Sequence, residues 1–216
     1  MKNTDLKEFY FRIKNEIEDT DDQPSSTLTK IYTDILYDNG TISDFELLYF
    51  EKDATKFSEI KINGFSLNID EERLDLFITH YNPSEKVEEL KFSKVLELLG
   101  SAKNFYTKSV KKLYEKINKK EDAYDISKDI FQNSKKISTV RTFVFTNCSC
   151  LKLPQNRNEG KIEFQNYLYD LNQIYKASLG GADSTDIKID FKKFKNQKVR
   201  CMLAHKTKDK ISSYMA

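Results

Sequence analysis

Two stretches constrain the fold of this chain most: Lys61-Ile62-Asn63-Gly64-Phe65, and the alternating run Leu74-Asp75-Leu76-Phe77-Ile78-Thr79-His80-Tyr81. Both carry apolar residues at period two, and the acidic segment Ile69-Asp70-Glu71-Glu72-Arg73 joins them, so the pattern predicts a β-hairpin. Asn63-Gly64 is ordinarily a turn dipeptide. Inside a strand, its glycine predicts a bulge or a close backbone approach. Alternation puts Asp75 on one face with Phe77 and Thr79, where it reads either as a site carboxylate or as a solvent-facing acid at a strand edge.

A chain of 216 residues can bury a core of useful size. With 38% hydrophobic and 32% charged residues the composition is that of a soluble globular protein. No apolar run approaches the roughly 18 residues of a membrane span, so no membrane partner is expected. Met1-Lys2-Asn3-Thr4-Asp5 lacks the apolar stretch of a secretory signal, and three cysteines do not make a disulfide scaffold. The expected compartment is the cytoplasm. The net charge of +2 hides an asymmetry: residues 1–85 carry −10 and the remainder +12. Such a split suits a face that meets a polyanion, halves that attract each other, or simply solvated charge.

Helical periodicity predicts Leu6–Ile17 and Thr27–Tyr37, the second stopped by Asn39-Gly40. Asp44–Lys52 reads as a strand ahead of the hairpin. From Phe92 to Ile117 the residues Phe92, Val95, Leu96, Leu99, Ala102, Phe105, Tyr106, Val110, Leu113 and Ile117 form one stripe, predicting a long helix. A charged helix over Asp122–Lys136, a strand over Thr139–Asn147 and a loop over Leu151–Gly160 follow. Phe164–Ser178 is predicted as an amphipathic helix stopped by Gly180-Gly181, and Ile187–Phe191 and Val199–Leu203 as late strands. The expected fold is α/β (α+β) with a mixed sheet flanked by helices. It is read as one domain over 1–216, with a core over about 1–150 and an extension over 151–216.

Laid end to end, Asp44-Phe45-Glu46-Leu47-Leu48-Tyr49-Phe50, Ile62-Asn63-Gly64-Phe65, Leu74-Asp75-Leu76-Phe77-Ile78, Val144-Phe145-Thr146-Asn147, Tyr169-Asp170-Leu171-Asn172-Gln173-Ile174-Tyr175 and Asp209-Lys210-Ile211-Ser212-Ser213-Tyr214-Met215-Ala216 resemble the N-terminal region of the abortive infection phage resistance (AIPR) proteins. The resemblance covers almost the whole chain in the same order. It implies a role in bacterial antiviral defence, in which infection is aborted inside the infected cell. It also implies that the chain is a fragment of a longer protein, with the C-terminal portion of that protein as a partner.

The element order resembles a restriction-endonuclease-like (PD-(D/E)xK-like) core, whose chemistry requires an Asp on the second strand and an acid-x-Lys pair on the third. The acids hold Mg²⁺ and the lysine helps activate water. Here Asn63 stands at the Asp position, and Thr79-His80-Tyr81 offers neither acid nor lysine. The expected state is therefore non-catalytic and without a cofactor; a divergent Mg²⁺-dependent nuclease would have to use Glu46 and Asp75. Cys148-x-Cys150 with Cys201 and His205 invites a zinc reading, but the first spacing is tighter than structural sites use, and buried thiols explain it as well.

Lys103, Lys108, Lys111, Lys112, Lys116, Lys119 and Lys120 are expected to project from the long helix away from its stripe. Lys188, Lys192, Lys193, Lys195, Lys198 and Arg200 lie further on. These residues suit sequence-independent contact with DNA or RNA backbones, centred on Lys108, Lys111, Lys112, Lys116 and Lys119. The expected function is a sensing or docking module with nucleic-acid contact; a divergent nuclease and a purely structural scaffold for the C-terminal region are the alternatives.

Overall fold

The structure, a computed structural model, describes residues 3–52, 59–179, 202–206 and 211–215. The chain divides into two compact units, residues 1–183 and 184–216. In the first, α1 (Asn3–Glu18) and α2 (Pro24–Asp38) precede a meander of β1 (Glu46–Lys52), β2 (Ile60–Asn68) and β3 (Arg73–His80). Then come α3 (Phe92–Val110), a short 3-10 turn at Leu113–Glu115, α4 (Ala123–Asn133), β4 (Thr139–Thr146), β5 (Arg157–Glu159), β6 (Ile162–Tyr169) and α5 (Leu171–Ser178). In the second unit, β7 (Met202–Lys206) and β8 (Ile211–Met215) pair antiparallel.

The six strands of the first unit form a mixed sheet in the order β1-β2-β3-β4-β6-β5. The β1-β2-β3 meander and the β5-β6 pair are antiparallel, whereas β3, β4 and β6 run parallel. Each face of the sheet carries its own core. On one, Leu74, Leu76 and Ile78 of β3 and Val140 and Val144 of β4 meet Val95, Ala102 and Phe105 of α3 and Ile126 and Ile130 of α4. On the other, Phe77, Phe143 and Phe145 meet Tyr10 and Ile13 of α1, Leu28, Tyr32 and Leu36 of α2, and Ile174 of α5. Strands buried on both faces explain why β3 is apolar almost throughout. Asn39 and Gly40 (φ 73°) do stop α2, with Thr41 N–H returning to the Leu36 carbonyl.

Three predicted elements are corrected. Phe164–Ser178 is not one helix: Ile162–Tyr169 is a strand parallel to β4, and only Leu171–Ser178 is helical. Phe164 and Leu168 point to one core and Tyr167 and Tyr169 to the other, the alternation of a strand. The Asp170 carboxylate accepts the Gln173 N–H at 2.9 Å and so marks the true helix start. The long helix ends at Val110 rather than Ile117. Lys112 takes φ 64°, and the turn it makes carries Leu113 and Ile117 back into the same core as α3. The expected loop after Leu151 contains β5. Ile187–Phe191 and the basic residues between Lys188 and Arg200 lie outside the described residues, as does Cys201.

Candidate functional site

The hairpin brings Asn63 and the end of β3 together, but as structure. Asn63 is buried, and its Oδ1 accepts the Thr79 N–H at 2.8 Å, just past Gly64↔Phe77, where the β2–β3 pairing ends. Ile60, Ile62, Phe65 and Leu67 all pack on the same core, so β2 switches parity at Asn63-Gly64. Across from it, β1 holds an irregularity between Leu47 and Phe50. Both expectations for Gly64, bulge and close approach, therefore hold: a Cβ there would sit 2.8 Å from the Glu46 carbonyl oxygen. Thr79 also shares a 2.7 Å hydrogen bond with Thr29 of α2.

Asp75 is neither at an edge nor facing solvent. It lies fully buried in a central strand, directly across from Arg141 of β4. Arg141 Nε donates to Asp75 Oδ1 at 2.7 Å, and its terminal nitrogen donates to Oδ2; Arg73 Nε stands 3.5 Å away. Both carboxylate oxygens are thus engaged by guanidinium. Glu46 pairs with Phe65, which pairs with Leu76, whereas Asp75 pairs with Ser66. The two carboxylates are therefore one position out of step and occupy opposite faces of the sheet. His80 is half-buried; burial, then the charges of Lys94 and Lys61, lower its pKa, so its imidazole is neutral at pH 7.

The carboxyl ends of parallel strands are where open α/β sheets receive ligands. Here that edge bonds to itself. The Asn147 carboxamide clasps the Asn82 backbone at 2.9 and 2.7 Å, Tyr32 donates to the Thr146 carbonyl at 3.0 Å, and Asp170 takes the Cys150 N–H at 2.9 Å. Cys148 and Cys150 follow β4 as protonated thiols: burial raises both pKa values, and for Cys150 burial and the nearby Asp170 push it up to about 12. Among the described residues, no three His, Cys, Asp or Glu side chains gather where they could hold a metal ion.

The basic residues separate into different environments. Of the lysines expected on the long helix, Lys103 and Lys108 sit on α3; Lys111 caps it, and Lys112, Lys116, Lys119 and Lys120 follow it in exposed, largely irregular chain. Lys112 pairs with Glu115 at 3.1 Å and lies over the Phe131 ring, and Lys103 is bridged to Glu159. Partial burial, then the charges of Lys116 and Lys52, lower the pKa of Lys108. Lys52 Nζ donates to the Lys116 carbonyl at 3.0 Å. Lys52 was not anticipated, because it ends β1, far from the lysine-rich stretch in sequence, and no local pattern links them.

The family described as abortive infection phage resistance protein N-terminal domain matches residues 28–176, from α2 through most of α5. No curated protein and no solved structure gives a significant match. Across the described residues no helix is long and apolar enough to cross a membrane. The matched segment contains the whole six-stranded sheet, most of α2 and all of α3 and α4 on its two faces, and the chain belongs to the abortive infection phage resistance N-terminal domain family.

Proposed function

We propose that this domain is a non-catalytic sensing or docking module of the phage-resistance system, and that it contacts nucleic-acid backbones through the lysines that gather where α3 ends. The observation that carries this reading is the Lys52 ammonium on the Lys116 carbonyl at 3.0 Å, which brings a lysine of β1 to the basic stretch, with Lys111 and Lys119 exposed in that stretch. Clustered ammonium groups repel one another, and a phosphate between them relieves that cost while releasing counterions. Lysine rather than arginine suits contact that follows backbone charge instead of base edges.

The order α2-β1-β2-β3-α3-α4-β4, a meander followed by a helical crossover to a parallel strand, supports descent from a restriction-endonuclease-like core. In this reading the catalytic positions have been given over to folding: Asn63 holds the Thr79 backbone, and Asp75 is engaged by Arg141. The test is fluorescence anisotropy with labelled single- and double-stranded DNA and RNA across a salt series. Affinity is expected to fall steeply with salt, and the Lys52→Glu/Lys116→Glu variant should lose about one to two units of log–log slope, near 0.7–0.9 per phosphate contact. An unchanged slope in that variant contradicts the proposed face. Absence of binding at low salt would favour the scaffold role instead.

A further inference from the structure

A second feature lies along the other half of α3. Leu96, Leu99, Gly100 and Lys103 recur at helical spacing and form one wall of a groove of about 760 Å³, within the size range of small-molecule sites. The segment Lys152–Gln155 with β5 forms the facing wall, and β4 and β6 form the floor. Leu96 and Leu153 are 47% and 62% exposed, so apolar surface is left open on both walls.

The floor carries two polar side chains beside Phe164. Thr142 of β4 is 2% exposed and lines the groove, yet its hydroxyl makes no hydrogen bond to any described residue. Its cross-strand neighbour Asn166 also lines the floor. Unlike the Ser109 hydroxyl, which is sealed without a partner, the Thr142 hydroxyl reaches the groove, so water or a groove ligand supplies its hydrogen bond. The rim is cationic. Lys103 is bridged to Glu159 and lies 5.1 Å from the centre of the Phe164 ring, whereas Lys152 and Arg157 have no ion-pair partner among the described residues.

We infer that this groove binds a mononucleotide-class ligand, with its phosphate at Lys152 and Arg157, its heteroaromatic body between Leu96 and Leu153, and its polar edge at Thr142. The three zones select among anions. A bare phosphate would leave the apolar walls exposed, and an acyl anion would lay its chain end on the Thr142 hydroxyl and displace the water that serves it. An anion with a flat body and hydrogen-bonding edge satisfies all three. Gly100 supports the reading, since a Cβ built there meets nothing within 4 Å and the helix wall opens at that point.

The test is isothermal titration calorimetry and thermal shift with AMP, GMP, CMP and UMP, with inorganic phosphate and decanoate as comparators. At least one mononucleotide should bind saturably where both comparators do not. Arg157→Glu and the groove-filling Gly100→Phe should each weaken binding about tenfold or more. Gly100→Ala should keep the fold and raise the melting temperature, because alanine is the better helix former. Lys52→Glu/Lys116→Glu should leave mononucleotide binding unchanged, which separates this site from the basic cluster. The inference is overturned if no mononucleotide saturates by about 5 mM. It is equally overturned if decanoate or phosphate binds as well, or if Gly100→Phe has no effect while Gly100→Ala shows the fold intact.

Discussion

At the scale of single residues, the decisive group is Asp75. A carboxylate removed from water loses several kcal/mol of hydration, and only charged, well-aligned donors offset that. Arg141 supplies two such donors from the next parallel strand, and stacks over the Phe143 ring at 5.1 Å. Removing the carboxylate would strand a largely buried guanidinium. Asp75→Ala is therefore expected to lower unfolding free energy by about 3–5 kcal/mol in urea denaturation; a loss below about 1 kcal/mol would show the pair to be dispensable. His80 makes a second prediction. Its folded pKa is held below the ordinary 6.5, so as pH falls through about 6.5 the unfolded chain takes up the proton first. The contribution is absent above that pH, grows as a destabilisation below it, and levels off below the folded pKa. His80→Gln should flatten the part of the stability profile between about pH 7 and pH 5 that this proton causes; an unchanged profile would place the imidazole in water.

At the scale of elements, Gly64 lets β1 and β2 approach around an irregular rung. With the Glu46 carbonyl 2.8 Å from where a Cβ would be, Gly64→Ala must push backbone rather than a side chain. The expected cost is about 1–3 kcal/mol, with increased hydrogen exchange in β1; wild-type protection in β1 would contradict it. Gly64 was legible because a glycine inside a period-two run contributes no side chain to the packing, which leaves backbone geometry as its use. The Phe164–Ser178 segment was not, since Phe164, Tyr167, Leu168 and Leu171 satisfy both a helical stripe and a strand buried on two faces. The end of α3 was hidden for a related reason: Leu113 and Ile117 rejoin its core after a turn, so the apolar rhythm continues where the helix does not. Leu96 belonged to the predicted stripe but lies exposed on the groove wall. The groove itself depends on residues from α3, β4, β5 and β6, and no local pattern joins them.

At the scale of the whole molecule, the charge split gains meaning from its pairing. Among the described residues, Arg141–Asp75 is the one ion pair joining the acidic segment 1–85 to the basic remainder; the others stay within one segment. Mutual attraction between the segments thus has little described contact to act through. The lysines of the proposed face were partly visible in sequence, but their grouping was not: Lys112 pairs with Glu115, and Lys52 joins from β1.

The central claim is that this domain binds without cutting. Its most direct test incubates the chain with end-labelled DNA and RNA in Mg²⁺, Mn²⁺ or EDTA and follows mobility and length together. Glu46→Gln is the informative variant, because Glu46 is exposed and its loss leaves the Asp75–Arg141 pair intact. The account predicts a salt-sensitive shift that persists in EDTA, with no shortening in any metal. Metal-dependent shortening that disappears in Glu46→Gln would contradict it and make the domain a nuclease.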